Sequence, residues 1–491
     1  MAPLQVVIVG GGLSGACLAN GLVNQADDGL VDVTIYERDT EADRRDGYQI
    51  RLGAHALVGF RACLTAPQYA DCLGCFGRSG GVVSSAPAIF NPNMDLVLDL
   101  SKFPAYQKSA PVGRARLRDF LQAPLRARSV MRYGMKFTGF DVVDSSTDDD
   151  HKTSSRIRVY FEDGSSQECD ILISAEGSGS RTNRQVGLNN IIEEKPKAGE
   201  GGFLGKCHLP WNVLRDLPRP LIEKGTIYAA SSNAKIFSAA YLPDNLRPSA
   251  GAKAPGSGLS GAETKKPSDY DEDQASLFVA IAWENGMSAA EAAQLPSLEK
   301  KRLMGDMLRA SGFSSDYLKL VEALDAEEIQ SVPWRHSKAD TPVDWRERLL
   351  SAAATRNSGP LDPRIGHPRV WLLGDSIHAM LPYRGMGANQ AIHDTADALG
   401  PLLELARKKR ADGTVTDAEV RRQLAVYENA MIPRAFAWVK QSAAQGLPDL
   451  DSFKGKVILV CVRAMLHVVG GVMSVLKMFG WTPKDDAPEL P

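Results

Sequence analysis

The stretch LQVVIVGGGLSGACLANGLVNQ, residues 4–25, decides the fold of this chain. A short apolar run leads into three glycines, and small and apolar residues follow them at helical spacing. The next apolar run, VDVTIYE, ends in Glu37. This order of strand, glycine turn, helix and strand is typical of a βαβ unit in a parallel sheet.

The glycines of the turn have the spacing Gly10-x-Gly12-x-x-Gly15. The first permits a tight turn, the second lets a pyrophosphate approach the backbone, and the third lets helix and strand pack closely. Glu37 follows after about 20 residues, where an acid can bind the hydroxyl pair of a ribose, and Arg38 stands beside it. An acid here favours a ribose without a 2′-phosphate, so the turn predicts a site for FAD or NAD rather than NADP.

The composition of the 491 residues is that of a globular protein, with 44% hydrophobic residues, 24% charged residues and a net charge of −2. No basic excess exists to neutralise phosphates, which argues against a nucleic-acid partner. The seven cysteines are scattered and odd in number, which favours a reducing, cytoplasmic location. Cys72 and Cys75 have no second pair at zinc spacing, so no metal site is predicted.

The middle of the chain predicts a second domain inserted into this α/β framework. Short β-like runs between Gly201 and Trp283 indicate a mainly antiparallel sheet. The stretch 247–274 is too poor in apolar residues to pack, and we interpret it as a mobile surface insert. The predicted domains are a discontinuous dinucleotide-binding domain (1–185 and 345–445), a substrate-binding domain (186–344) and a C-terminal helical extension (446–491).

A second informative stretch is LLGDSIHAMLPYRGMGANQAIHDTADAL, residues 372–399. Its Gly-Asp-Ser triplet raises the alternative of a hydrolase, with Ser376 as nucleophile and a nearby histidine as base. Hydrolases that use such a triplet carry it near the N-terminus, whereas here it lies late in the chain. We therefore interpret the stretch as one wall of a cofactor site, in which Ser376 is dispensable and Ser376→Ala leaves activity nearly intact.

Three ordered motifs resemble those of the class A FAD-dependent monooxygenases, the flavoprotein aromatic hydroxylases similar to p-hydroxybenzoate hydroxylase. The first is the glycine turn. The second, SAEGSGSRTNR (174–184), is similar to the family's D-G-x-x-S-x-x-R loop through Gly177, Ser180 and Arg184, but carries Glu176 where the family usually has Asp. The third is the stretch 372–399, which is similar to the family's G-D-A-A-H-x-x-x-P-x-x-G-x-G-x-N-x-x-x-x-D. The matching residues are Gly374, Asp375, His378, Pro382, Gly385, Gly387, Asn389 and Asp394.

The resemblance spans roughly residues 5–435, is closest to the fungal and tetracycline-inactivating members, and implies a Rossmann-like FAD-binding domain of the GR2 type. Arg114, with Leu117, also resembles the family's flavin-contacting R-x-x-L. The implied FAD-binding residues are Gly10, Gly12, Gly15, Glu37, Arg38, Arg114, Glu176, Gly177, Asp375, Pro382, Gly385, Gly387, Ala388 and Asn389. Among them, Asp375 is expected to accept hydrogen bonds from ribityl hydroxyls, and the helix that begins near Ala388 to direct its positive end at the flavin.

The chemistry implied by the resemblance is hydroxylation of an aromatic or polycyclic metabolite. NAD(P)H would act as a transient co-substrate and O₂ would react with reduced flavin to form a C4a-hydroperoxide. Candidate catalytic or substrate-facing residues are Arg51, Tyr383, Arg384 and His378, although His378 is also consistent with a packed histidine. Tyr241, Phe237 and Trp283 could form the floor of the substrate cavity or belong to a core.

The C-terminal run from Lys456 to Trp481 is long and apolar, but it is interrupted by Arg463, His467 and Lys477. It predicts a helix that packs on the protein, contacts a membrane peripherally or spans one. Two alternative functions stay open, a membrane-associated FAD epoxidase and a flavin-binding carrier without redox activity. A flavin-dependent halogenase is disfavoured because the sequence has no W-x-W-x-I-P motif. The oligomeric state is left open.

Overall fold

The computed structural model describes residues 2–26, 29–43, 49–77, 86–100, 109–144, 154–193, 199–243, 270–331, 334–355 and 362–443, and separate positions between 457 and 480. Its strands are β1 (Leu4–Val9), β2 (Val31–Tyr36), β3 (Gln49–Leu52), β4 (Ala88–Phe90), β5 (Leu96–Asp99), β6 (Ala110–Gly113), β7 (Met131–Arg132), β8 (Phe137–Asp144), β9 (Ser155–Phe161), β10 (Ser166–Cys169), β11 (Ile171–Ser174), β12 (Ile191–Glu193), β13 (Gly201–His208), β14 (Thr226–Ala230), β15 (Ala234–Tyr241), β16 (Ser276–Trp283), β17 (Arg335–Ser337) and β18 (Val370–Leu372).

The helices of the same residues are α1 (Leu13–Gln25), α2 (Ala54–Cys63), α3 (Ala66–Leu73), α4 (Arg114–Ala127), α5 (Arg181–Gln185), α6 (Trp211–Leu214), α7 (Arg219–Lys224), α8 (Ala289–Ala293), α9 (Ser297–Ala310), α10 (Ser315–Glu322), α11 (Trp345–Thr355), α12 (Asp375–His378), α13 (Gly387–Asp412) and α14 (Asp417–Ala443).

The N-terminal stretch forms the centre of a five-stranded parallel sheet in the order β18-β11-β1-β2-β7. Strands β1, β11 and β18 are short and almost entirely apolar, as expected where helices cover both sides of a sheet. Because the strands are parallel, β1, β11 and β18 all end at the same edge, and the glycine turn, the Glu176 loop and Asp375 follow them there. This topology brings together motifs that are more than 350 residues apart in the sequence.

Helices α1, α2, α4 and α13 pack around this sheet and form the first hydrophobic core. The contact between α2 and α13 is very close, since a Cβ at Gly59 would lie 2.0 Å from the carbonyl oxygen of Ile392. Each buried Leu, Ile or Val side chain in such a core stabilises the fold by about 1.5–3 kcal/mol. The start of α13 is therefore held firmly against the parallel sheet.

A six-stranded sheet in the order β13-β16-β15-β14-β4-β5 carries the second hydrophobic core. All its pairs are antiparallel except β14 with β4, which confirms the predicted mainly antiparallel sheet. One face packs on α9 and α10 through residues such as Val279, Leu308 and Tyr317. Strands β4 and β5 lie in this sheet although they precede residue 185, because their pairing partner β14 lies far along the chain.

Two other predictions can be compared with the structure only in part, because many of the residues they concern lie outside the described part. Of the predicted insert 247–274, residues up to 269 lie outside the described part, and Tyr270 is buried, with its hydroxyl donating to the carbonyl of Leu209 at 3.1 Å. In the C-terminal run, Arg463, His467 and Lys477 also lie outside the described residues. The residues described there are helical up to Met478, and no helix found among the described positions of the chain is long and apolar enough to cross a membrane.

Candidate functional site

The three glycines of the first turn have three different surroundings. Gly10 has a φ of +104°, and a Cβ on it would lie 2.3 Å from the carbonyl oxygen of Ala175. A Cβ on Gly15 would lie 2.1 Å from the carbonyl oxygen of Gly10, so helix and strand touch at this point. Gly12, by contrast, faces open space. It also precedes α1, whose N-terminus has no side-chain cap, so free N–H groups face that space.

Glu37 lies at the end of β2 beside this turn. Its carboxylate accepts hydrogen bonds from the backbone N–H groups of Gly11, at 2.7 Å, and Asp39, at 3.0 Å. Arg38 is exposed and pairs only loosely with Asp39, at 3.7 Å. Gln122 of α4 donates to the carbonyl of Gly11 at 2.6 Å and fixes the turn from the other side. Gln122 has no sequence signal, because its role depends on α4 packing against α1.

Asp375 enters the same space from the end of β18. It is half-buried, and among the described residues no donor hydrogen-bonds to its carboxylate. Burial raises the pKa of Asp375, while His378 and Arg114 act in the opposite direction. Arg114 is exposed at the start of α4. A desolvated carboxylate without a protein donor is suited to accept hydrogen bonds from ligand hydroxyls.

The loop before α13 closes this side of the site. Pro382 to Arg384 form a single 3-10 turn, and Gly385 has a φ of +62°. Asn389 donates from Nδ2 to the carbonyls of Arg51, at 2.9 Å, and Gly385, at 3.0 Å, and its Oδ1 accepts from the N–H of Gly53 at 2.8 Å. One side chain thus joins the loop, the start of α13 and strand β3.

Helix α13 begins at Gly387, and its N-terminus has no side-chain cap. A Cβ at Gly387 would lie 3.7 Å from Oδ1 of Asp375, so the helix end and this carboxylate are neighbours. Ala388, next along, is half-buried at the same helix end. A Cβ at Gly374 would lie 2.8 Å from Ala391 of α13 and 3.4 Å from Ser14 of α1. The starts of both helices therefore converge on the end of β18, and both present positive dipole ends there.

Ser376 is not placed as a nucleophile. It is fully buried, its Oγ accepts from the N–H of Leu373 at 2.9 Å, and it donates to the carbonyl of Ser174 at 2.8 Å. His378 instead bonds through Nε2 to Asp394, at 2.6 Å. Ser376 therefore links the ends of β11 and β18.

Asp394 lies at the centre of a buried charge network. It accepts from the N–H of Gly374 at 2.8 Å, from His378 and from Arg434 of α14 at 2.7 Å. Although burial opposes ionisation, the charges of His378 and Arg434 lower the pKa of Asp394 to about 2. Arg434 also pairs with Asp397 at 2.7 Å. The network fastens α13 to β18 and α14. The Nδ1 of His378, on the other side of its ring, is buried without a partner among the described residues.

The carboxylate of Glu176 binds the start of helix α5, which follows it in the chain, and the residues around it. Glu176 accepts from Ser174 and Ser180 at 2.9 Å each, from the N–H of Arg181 at 3.1 Å and from both the N–H and the hydroxyl of Thr182. Gly177 has a φ of +76° and open space around it. Arg184 stands four residues after Ser180, one more than the family pattern has, and is exposed. The role of Glu176 toward a cofactor stays a prediction.

The residues expected to face a substrate have different surroundings in the structure. Arg51 donates to Ser109 and, from Nη1, to Oγ1 of Thr226 at 3.0 Å, so it joins β3 to the six-stranded sheet. Trp283 is buried in the second core and donates to the carbonyl of Met287 at 2.8 Å. Arg384 is exposed, and the side chain of Tyr383 lies outside the described part. Phe237 is half-buried, in a T-shaped contact with Phe278.

The fold and this site define a Rossmann-type dinucleotide-binding protein with a second site wall built by β18 and α13. Sequence comparison agrees with both parts. Residues 8–70 match the NAD(P)-binding Rossmann-like domain, and residues 330–431 match the FAD binding domain. No group of three or more potential metal-ligating side chains is found in the part of the chain that the structure describes.

Two curated proteins are similar to this chain over most of its length. The chain is 23% identical to the dual O-methyltransferase/FAD-dependent monooxygenase elcB of Phaeosphaeria nodorum, over 89% of this chain and 45% of that protein. It is 24% identical to the FAD-dependent monooxygenase dbaB of Emericella nidulans, over 84% of this chain and 91% of that protein. The chain thus spans less than half the length of the first relative and nearly all of the second.

Solved structures share the fold. Klebsiella pneumoniae HpxO complexed with FAD and uric acid aligns with a TM-score of 0.56 at 16% identity, over 89% of this chain and 87% of that one. The tetracycline destructase Tet(51) aligns with a TM-score of 0.53 at 14% identity, over 95% and 97%. The chain is therefore similar over most of its length to FAD-dependent monooxygenases, the class that its three motifs resemble. The predicted cofactors, FAD and NAD(P)H, are supported by the two domain matches.

Proposed function

We propose that this protein uses NAD(P)H and O₂ to hydroxylate an aromatic or polycyclic compound on an enzyme-bound FAD. The observation that carries the proposal is the convergence of two uncapped helix ends, an open glycine and a carboxylate without a protein donor on one edge of the parallel sheet. Such a surface is suited to a ligand that is anionic at one end and rich in hydroxyl groups at its centre.

Different residues of the chain would bind different parts of FAD. The open backbone at Gly12 and the start of α1 would receive the pyrophosphate, and Glu37 the adenosine ribose. Asp375 would accept hydrogen bonds from the ribityl chain, and the loop from Gly385 to Asn389 would border the flavin ring. The start of α13 would stabilise negative charge on that ring. Bound flavin, once reduced by NAD(P)H, supplies the oxygen-transfer chemistry.

The substrate would lie between this site and the six-stranded sheet. Arg51 bridges the two, since its carbonyl is bound to Asn389 and its guanidinium to Thr226. Half-buried aromatic side chains on that sheet, Phe237 and Phe278 among them, offer flat apolar surface to an aromatic ring. A cavity of this kind excludes water from the reacting groups.

The proposal is tested with the purified protein and its Asp375→Ala variant. We expect the wild-type protein to show the absorption spectrum of bound oxidised flavin and a screen of phenols to stimulate NAD(P)H oxidation. The Asp375→Ala variant should fold but lose FAD, because its ribityl acceptor is gone. Its fold should not suffer without FAD, since a buried carboxylate with a raised pKa is a cost to the folded state at neutral pH.

Three results would contradict the proposal or a part of it. A colourless wild-type protein that does not take up FAD would exclude the flavoenzyme assignment. Flavin binding without NAD(P)H oxidation, with any phenol, would favour the carrier alternative. Full flavin occupancy in Asp375→Ala would remove Asp375 from the cofactor site.

A second candidate, a peripheral membrane epoxidase, is favoured by one observation. In the C-terminal segment the apolar side chains of Val460, Val468 and Phe479 are 66%, 66% and 83% exposed. Such residues on one segment are suited to contact with lipid. The test is flotation with phosphatidylcholine vesicles, with Val460→Ser and Val468→Ser combined as the matched variant. Wild-type protein that stays unbound would reject this candidate.

A further inference from the structure

The single turn α12, which presents Asp375 to the cofactor site, is fixed by hydrogen bonds from other elements. Asn183 of α5 donates from Nδ2 to the carbonyl of Ser376 at 2.8 Å, and Asn190 donates to the carbonyl of Ile377 at 2.9 Å. The carboxylate of Asp375, by contrast, receives no hydrogen bond among the described residues. The turn is therefore a firm support for one acceptor that is left to a ligand.

Asp394 of α13 binds both ends of this turn. Its Oδ2 accepts from the backbone N–H of Gly374, which precedes the turn, at 2.8 Å, and from Nε2 of His378, which ends it, at 2.6 Å. Its Oδ1 accepts from Arg434 of α14 at 2.7 Å, so the carboxylate is held on its other side as well. The two bonds of Oδ2 lie before and after Asp375 in the chain, and they set the position of the turn against α13.

The same helix supplies the second group that faces the flavin. Helix α13 begins at Gly387, where a Cβ would lie 3.7 Å from Oδ1 of Asp375. Asp394 follows about two turns later on this helix. Because a buried helix is rigid over so short a distance, the bonds of Asp394 to Gly374 and His378 fix the spacing between the helix start and the Asp375 carboxylate.

We propose that Asp394 and His378 are positioning residues for FAD, which hold Asp375 against the ribityl chain while the start of α13 meets the flavin ring. This inference rests on the proposed function and assigns His378 to positioning rather than to acid–base catalysis. The adenosine and pyrophosphate would bind elsewhere, at Gly12 after β1 and at Glu37 after β2. Loss of the bond between His378 and Asp394 should therefore weaken binding of the flavin half of FAD and spare the adenosine half.

Equilibrium binding of FAD and of ADP to the full chain tests the proposal without turnover. ADP carries the adenosine and pyrophosphate of FAD but has no ribityl chain and no flavin. His378→Leu removes the Nε2 hydrogen bond, and Nδ1 has no partner to lose among the described residues. The variant should weaken FAD binding about tenfold, as for the loss of one hydrogen bond to a charged group, and leave ADP binding unchanged. His378→Gln should restore FAD binding, because the Gln side chain can donate from Nε2.

Asp397→Asn is the matched control. Asp397 lies three residues after Asp394 on α13 and pairs with the same Arg434, at 2.7 Å, rather than with the turn. Both ligands should bind to this variant as to the wild type. Unchanged FAD binding in His378→Leu would overturn the proposal, and so would an equal loss of FAD and ADP binding, which a residue that only supports the fold would cause. Wild-type protein that binds ADP but not FAD would overturn the proposed function together with this inference.

Discussion

At the scale of single residues, substitutions of the glycines in the first turn distinguish effects on folding from effects on cofactor binding. A Cβ at Gly12 meets no protein atom within 4 Å, whereas one at Gly15 would clash with backbone at 2.1 Å. We expect Gly12→Ala to fold as the wild type but to bind FAD more weakly by about 1–3 kcal/mol, the cost of an extra methyl group in a tight contact. Flavin fluorescence titration measures the affinity, and denaturant unfolding of the apoprotein measures the fold.

Two other glycines provide the controls for this prediction. Gly15→Ala should destabilise the apoprotein itself. Gly400→Ala, on the exposed side of α13, should leave FAD binding unchanged. An unaltered FAD affinity in Gly12→Ala would mean that the pyrophosphate does not approach this glycine.

Ser376 gives a second prediction at the residue scale. Its hydroxyl accepts from the N–H of Leu373 and donates to the carbonyl of Ser174, all of them buried. Ser376→Ala should keep the turnover rate but lower the free energy of unfolding by about 0.5–1.5 kcal/mol, since the hydrogen bond from its hydroxyl to Ser174 is lost while the N–H of Leu373 still donates to the carbonyl of Ser174. Denaturant unfolding and steady-state NAD(P)H oxidation measure the two effects. A large loss of kcat with full flavin occupancy would instead support a catalytic serine.

At the scale of helices, α2 and α13 meet through a pair of histidines. The Nδ1 atoms of His55 and His393 are 3.1 Å apart, so one ring must donate and the other accept. Burial and the charge of Arg434 lower the pKa of His393 to about 4, and burial also lowers the pKa of His55. Both rings are therefore neutral in the folded protein at neutral pH.

The pair makes stability depend on pH in a definite direction. The unfolded chain takes up a proton on His393 below its ordinary pKa of about 6.5, whereas the folded chain does so only near 4, and the pKa of His55 is lowered in the same direction. Stability therefore falls as the pH drops from 6.5 to 4. His393→Gln should reduce this loss without abolishing it, since His367 has its pKa lowered to about 4 as well. Unfolding midpoints across this range measure the effect, and His208→Gln, at an exposed site, is the control. An unchanged pH profile in His393→Gln would contradict it.

The same elements show how far the sequence could predict the site. Gly12 was predicted from the spacing of a glycine turn, and Asp375 and Asn389 from the resemblance of the stretch 372–399 to a family motif; their contacts with FAD stay predictions. Arg434 was missed because it lies 40 residues after Asp394 in an ordinary helical pattern, and only the packing of α14 on α13 joins the two. The membership of β4 and β5 in the six-stranded sheet was missed for the same reason, since it depends on a pairing with β14 more than 120 residues away. Local motifs could be predicted, whereas contacts between distant elements could not.

At the scale of the whole molecule, Tyr241 couples the two hydrophobic cores. It ends β15 of the six-stranded sheet, and its ring fills the space where Cβ atoms on Gly77 and Gly113 would stand, at 2.5 and 3.3 Å. Its hydroxyl donates to the carbonyl of Cys75 at 3.0 Å. Gln49 adds a hydrogen bond from β3 to the carbonyl of Ala239. The substrate space proposed above lies between the surfaces that these contacts hold together.

Removal of the Tyr241 ring should therefore loosen the two cores from each other. We expect Tyr241→Ala to cost about 3–5 kcal/mol, as for other buried aromatic rings, and to separate flavin release from the loss of far-ultraviolet circular dichroism on heating. Tyr241→Phe keeps the ring and loses one hydrogen bond, so it should cost only about 0.5–1.5 kcal/mol and retain coincident transitions. If Tyr241→Ala still unfolds in one transition at the wild-type midpoint, the cores are joined elsewhere, and Gln49 and Arg51 become the contacts on which the geometry of the substrate space depends.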